Sequence, residues 1–153
     1  MKFHIWTFGK PIKNELENEI SNYTKRISHY YKLEWDYFKT MQLLDVNLIK
    51  KKEADFILKQ IQIDDCLILL DESGEKNNSM NFAHKIQEQL NRSFKRIIFL
   101  IGGSYGVDYS VQQKANLIFS LSDLTFPHQL VRLILIEQIY RTCTIIANEK
   151  YHH

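Results

Sequence analysis

Cysteine, proline and glycine are all scarce in this sequence of 153 residues, which has two, two and five of them respectively. Cys66 and Cys143 each lie inside an apolar run and have no Cys-x-x-Cys or Cys/His spacing. That excludes a disulfide scaffold and a zinc ribbon, and reads as two buried, reduced thiols of a cytosolic protein. So little glycine and proline excludes a low-complexity or collagen-like chain. Net charge is also small, at +2, too weak a bias to identify a nucleic-acid partner by itself. No apolar stretch has the length of a membrane-spanning helix, and Lys2, His4 and Gly9 interrupt the first ten residues where a signal peptide needs an apolar core. A cytoplasmic protein with no membrane partner is therefore expected.

Apolar residues, at 44%, are plentiful and strongly patterned. Residues 3–8 alternate and stop at Gly9-Lys10-Pro11, predicting a first strand and a turn. Leu16, Ile20, Tyr23 and Ile27 predict an amphipathic helix over 14–27, and a second strand follows over 33–38. Residues 41–46 are ambiguous. From about Asn47 a helix carries Ala54, Ile57, Leu58 and Ile61 on one face and Lys50, Lys51 and Lys52 opposite. Residues 66–70 and 96–101 have the apolar runs of central strands covered on both faces. The first should end in a polar loop over 71–76, after which Ser79 or Asn81 can cap a helix. Asp108 can cap a short helix through Ala115, residues 117–120 make a last strand, and Pro127 precedes a final helix to about Asn148. Strands alternating with helices predict an α/β fold, a mostly parallel sheet flanked by helices, in a single domain spanning 1–153.

The final helix is apolar almost all round, with only Gln129, Arg132, Glu137, Gln138 and Arg141 polar. A helix of that kind is covered on all sides, and a domain of this size can hardly do so alone, so a subunit interface is expected. Glu137 and Arg141 have the spacing of a favourable i,i+4 pair. The basic clusters at 25–26, 50–52 and 92–96 read as solvated helix faces or ends.

Open α/β sheets bind ligands at the carboxyl ends of their strands. Two neighbouring strand ends here run into unusual loops, Gly102-Gly103-Ser104-Tyr105-Gly106 and the Ser/Thr-rich segment 121–127, which predict a small-molecule crevice. The glycine loop is no Walker motif, because no Gly-Lys-Ser/Thr follows. It is a poor dinucleotide fingerprint too, since it follows the fourth strand instead of the first. No Ser/His/Asp order, carboxylate pair or metal constellation stands out, and no metal is expected.

Taken together, Leu-Ile-Gly-Gly-Ser-Tyr-Gly (100–106), Ser-Leu-Ser-Asp-Leu-Thr-Phe-Pro-His-Gln-Leu-Val-Arg (120–132), Leu-Ile-Glu-Gln-Ile-Tyr-Arg (135–141) and a Tyr-His at 151–152 closely resemble the RlmH family. These small SPOUT-class enzymes methylate N3 of a pseudouridine in helix 69 of 23S ribosomal RNA. The resemblance covers essentially the whole chain, more by residue in the C-terminal half and more by pattern in the N-terminal half, where Leu-Leu-Asp-Glu-Ser-Gly-Glu (69–75) is the clearest piece. It implies a C-terminal trefoil knot, a homodimer packed through about 97–153, and S-adenosylmethionine held by Leu70, Gly102, Gly103, Leu121, Ser122, Asp123, Leu124, Thr125 and Phe126. It further implies catalytic roles for His128, Glu137, Arg141, Tyr151 and His152, with the base left among His152, Glu137 and a bound water. His153 stands where relatives commonly carry Lys or Arg. Two rivals remain: a non-catalytic ribosome-associated factor on the same fold, which would not bind the methyl donor, and an oxidoreductase, which would need a fingerprint in the first βα unit.

Overall fold

A computed structural model of the chain describes residues 1–11, 13, 15–42 and 44–151. These form, in order, β1 (Lys2–Phe8), α1 (Leu16–Ile27), β2 (Lys32–Phe38), α2 (Val46–Gln60), β3 (Asp65–Lys76), α3 (Ser79–Leu90), β4 (Arg96–Ile101), α4 (Tyr109–Lys114), β5 (Leu117–Ser120) and α5 (His128–Ile146). The strands make one five-stranded sheet in the order β2-β1-β4-β3-β5, and every pair is parallel. The expected α/β fold with a parallel sheet is therefore observed.

Burial on both faces explains the unbroken apolar runs. Alternate residues Ile97, Phe99 and Ile101 of β4 point into a core shared with α1, α3 and α5, whereas Ile98 and Leu100 point into a second core under α2 and α4. Each of these side chains is almost wholly buried, which stabilises the fold by about 1.5–3 kcal/mol apiece. Arg96 clamps the start of this pair of strands through two hydrogen bonds to Asp65, at 2.7 and 2.5 Å. Burial pushes the Asp65 carboxyl up, but Arg96 and the Gln62 N–H outweigh it and hold it below the usual value. So Arg96 is an ion-pair partner and not a solvated cation. Arg26 is not solvated either: its guanidinium lies 4.1 Å from the centre of the Tyr140 ring and donates to the Tyr140 hydroxyl.

Two further sequence expectations are corrected. Residues 71–76 are no terminal loop but the continuation of β3: the strand bulges after Leu70 and re-joins β5 at Glu75 and Lys76. Their polarity hid this because an edge pairing made through backbone groups leaves side chains in solvent. The cap of α3 is Asn78, whose side chain accepts from the Asn81 N–H at 2.8 Å, and not Ser79 or Asn81. Arg132, one of the few polar residues of α5, is only 4% exposed.

The bulge brings Gly74 against β5, where an added Cβ would lie 2.5 Å from the Phe119 carbonyl carbon. Because that neighbour is backbone, nothing can swing aside. Gly74→Ala is expected to lower stability by about 3 kcal/mol, read as a lower urea midpoint with an unchanged slope. An unshifted midpoint would show that the β3 extension does not press on β5.

The two cysteines are buried and free, and burial pushes both thiols up to about 12, so neither is reactive at neutral pH. The apolar girdle of α5 is covered on one side only within this chain. Leu135, Ile136, Ile139 and Cys143 are buried between α1 and α3, while Leu130, Val131, Leu133, Ile134, Ile145 and Ile146 stay half-exposed.

Candidate active site

Because the sheet is parallel, β3, β4 and β5 deliver their carboxyl ends to the same edge. There, three segments enclose a cleft of about 460 Å³. Leu70 comes from the bulge of β3, Gly102 and Gly103 from the loop after β4, and Leu121, Ser122, Asp123, Leu124, Thr125 and Phe126 from the loop after β5. All nine residues named for the cofactor line this one space. Tyr105 of the glycine loop lines it as well, and so do Asp71, Glu72 and Val131, which sequence reasoning missed. The signal for Asp71 and Glu72 was their position immediately after a central strand.

Short hydrogen bonds fix the loops. The Gly106 N–H donates to the Gly103 carbonyl at 3.0 Å, closing the glycine turn. Ser122 Oγ accepts from the Leu124 N–H at 2.9 Å, and Ser120 Oγ donates to the Ser122 carbonyl at 3.1 Å. Asp123 pairs with Lys76, so the extension of β3 fastens the third loop. His128, at the start of α5, places Nε2 2.6 Å from the Gly102 carbonyl. A carbonyl only accepts, so Nε2 carries the proton and His128 acts as a strut between α5 and the glycine turn.

Behind that turn lies Glu53, unnoticed in a lysine-rich helix and only 6% exposed. Its Oε2 sits 2.7 Å from where a Cβ on Gly103 would be. Burial pushes its carboxyl up, partly offset by the hydrogen bond it accepts from the Met41 N–H.

Glu137, Arg141 and Tyr151 come together, but away from the cleft. Arg141 donates to Glu137 Oε1 from Nε at 3.0 Å and from Nη2 at 2.7 Å, and the Tyr151 hydroxyl reaches the same oxygen at 3.3 Å. Glu137 Oε2 accepts from Gln138 at 2.6 Å. Tyr151 is held edge-on against Tyr140 with centroids 4.7 Å apart, beneath the Arg141 guanidinium at 4.9 Å. Burial, and then its contact with the Tyr23 hydroxyl, push the Tyr151 phenol up, so it stays protonated. Nine helical positions separate His128 from Glu137, roughly 13 Å along the axis. Within one chain, the cleft and the tail cluster are therefore separate. His152 lies outside the described residues.

Among the described residues, no three His, Cys, Asp or Glu side chains gather as metal ligands, and no helix is long and apolar enough to cross a membrane.

Residues 1–152 match the family described as "Predicted SPOUT methyltransferase", so the cleft belongs to a methyltransferase of the SPOUT class. The chain is 43% identical to the ribosomal RNA large subunit methyltransferase H of Christiangramia forsetii, over all of this chain and 99% of that protein. It is also 43% identical to the protein of the same name from Cytophaga hutchinsonii and 40% identical to that from Pseudothermotoga lettingae, in both cases over the full length of each chain. The chain belongs to the RlmH family. A trefoil knot follows from membership of the SPOUT class.

Proposed function

We propose that this protein transfers the methyl group of S-adenosylmethionine to N3 of a pseudouridine in helix 69 of 23S ribosomal RNA, acting on the ribosome in the cytoplasm as a homodimer. The whole chain is one catalytic domain, with about 97–153 its knotted and dimerising part. The convergence of three strand-end segments on one cleft carries this reading. The names of the relatives support the ribosomal substrate.

The cleft suits the cofactor chemically. Leu124 and Tyr105 stand 72% and 56% exposed at its mouth, apolar surface available to a flat purine. Asp71 and Glu72 supply carboxylates for an α-ammonium group and a ribose. When bound, the cofactor offers an electrophilic methyl on a sulfonium sulfur. The protein's part is alignment of donor and nucleophile and acceptance of the N3 proton.

His128 holds the Gly102 carbonyl in place. Glu137, with both oxygens committed, orients Arg141 and Tyr151 and is no free base. His152 and a bound water then stay as the candidates for the base. Since the tail cluster stands apart from its own cleft, the partner's tail completes the chamber, and the half-exposed apolar face of α5 provides the contact. Ribosomes lacking the modification, incubated with the protein and labelled S-adenosylmethionine, should acquire label at that one nucleotide. Label elsewhere, or cofactor binding without transfer, would overturn the assignment.

A further inference from the structure

We propose that a second groove, at the carboxyl ends of β1 and β2, holds the phosphodiester backbone of the single-stranded RNA flanking the target base. This inference rests on the proposed ribosomal substrate. The groove measures about 670 Å³ and is bounded by the Gly9 turn and residues 37–42. Its lining carries two exposed cations, Lys10 and Lys39, beside the half-buried rings of Tyr37 and Phe38, with no carboxylate among the described lining residues. Cations next to aromatic and apolar surface suit a backbone whose bases turn aside to stack.

Beneath it lies a charge that the fold alone does not neutralise. Arg132 donates from Nη2 to the Phe8 carbonyl at 2.8 Å and from Nη1 to the Lys10 carbonyl at 2.7 Å. Its Nε is buried without a partner, and no carboxylate pairs with it among the described residues. Its guanidinium lies 5.6 Å from the Tyr37 ring. Burial pulls its pKa below the ordinary arginine value, as it must where a cation lacks a counter-ion. An RNA phosphate over the Gly9 turn would supply that missing negative charge.

The groove is also joined to the cofactor cleft by two buried side chains. Arg132 ties the Gly9 turn to the start of α5, one residue from Val131 in the cleft. Glu53 takes the Met41 N–H on one side and abuts Gly103 on the other. A strand lying along this edge of the sheet would thus pass from the groove directly to the methyl donor.

The test is the charge-reversed double variant K10E/K39E, at two exposed positions that leave the core untouched. It should raise KM for unmodified large ribosomal subunits at least about tenfold, with kcat and S-adenosylmethionine affinity unchanged. For fluorescein-labelled oligouridylate, the slope of log affinity against log salt should shrink by about 1.4, roughly 0.7 per single-strand phosphate contact. K10R/K39R should restore both. An unchanged KM and slope would overturn the groove, and so would a loss of dimer in sedimentation that accounts for the defect, since the occupant would then be a second copy of this chain. If the wild-type protein methylates no ribosome, the proposed function fails, while oligouridylate binding still decides the groove by its dependence on the two lysines.

Discussion

Removing Tyr151, His152 and His153 should lower the rate of methyl transfer about a thousand-fold, within the range that a positioned acid–base group and correct alignment supply. Cofactor affinity should stay within about twofold, because all nine residues expected to hold the cofactor lie in the cleft and none in the tail. Stability should fall modestly, by about 1–2 kcal/mol, through loss of the edge-on contact with Tyr140 and the packing on Arg26 and Arg141. Single-turnover rates, cofactor titration and a urea melt on the same preparation separate these effects. Full turnover by the truncated chain would show that the tail takes no part. Mixing gives a sharper result: truncated subunits combined with Gly103→Val subunits should regain activity, because an intact tail then faces an intact cleft across the dimer. Lack of recovery in a confirmed mixed dimer would place the tail in its own subunit's chemistry.

Much of this architecture is legible in the residues. The runs at 66–70 and 96–101 carry the pattern of strands covered twice, and the carboxyl ends of those runs share an edge once the sheet is parallel. What escaped the sequence has one physical character: groups satisfied by backbone far away in the chain. Nothing near Arg132 in sequence marks what it binds, because its partners are carbonyls more than 120 positions earlier, Phe8 and Lys10. Residues 71–76 read as loop because their pairing with β5 is made by the main chain. Glu53 sits next to a lysine run, and nothing local marks it as facing a glycine turn fifty residues ahead. The order β2-β1-β4-β3-β5 is invisible for the same reason. The split between the cleft and the Glu137 cluster was hidden too, since both lie on or beside one helix and only its rise per residue separates them.

Gly103→Val should remove measurable cofactor binding, at least about a hundred-fold in Kd, equivalent to some 2.7 kcal/mol. The sequence alone suggests that a bulky residue would fill the cleft. The structure gives a different cause: the new Cβ would point at the buried Glu53 carboxylate, 2.7 Å away, so either that side chain is pushed off the Met41 N–H or the turn shifts and takes the Gly102 carbonyl from His128. Gly103→Ala isolates this contact and should cost about tenfold in affinity. Shortening the opposing side chain with Glu53→Asp should return part of that loss in the double variant, a coupling that additive effects would not give. Wild-type affinity in G103A would remove Gly103 from the binding loop, and an additive double variant would acquit Glu53. A pH signature accompanies the cycle. Burial, in part offset by the Met41 N–H, raises the folded-state pKa of Glu53 above its unfolded value, so the folded chain binds that proton more tightly. Stability should therefore fall as pH rises from the ordinary glutamate value, about 4.3, through the folded-state value. Glu53→Gln, which can still accept the Met41 N–H, should lack this loss and melt at a higher temperature than wild type at pH 7. Equal melting of the two proteins at pH 7 would mean that Glu53 reaches solvent when it ionises, and the rigid stop behind the glycine turn would then not exist.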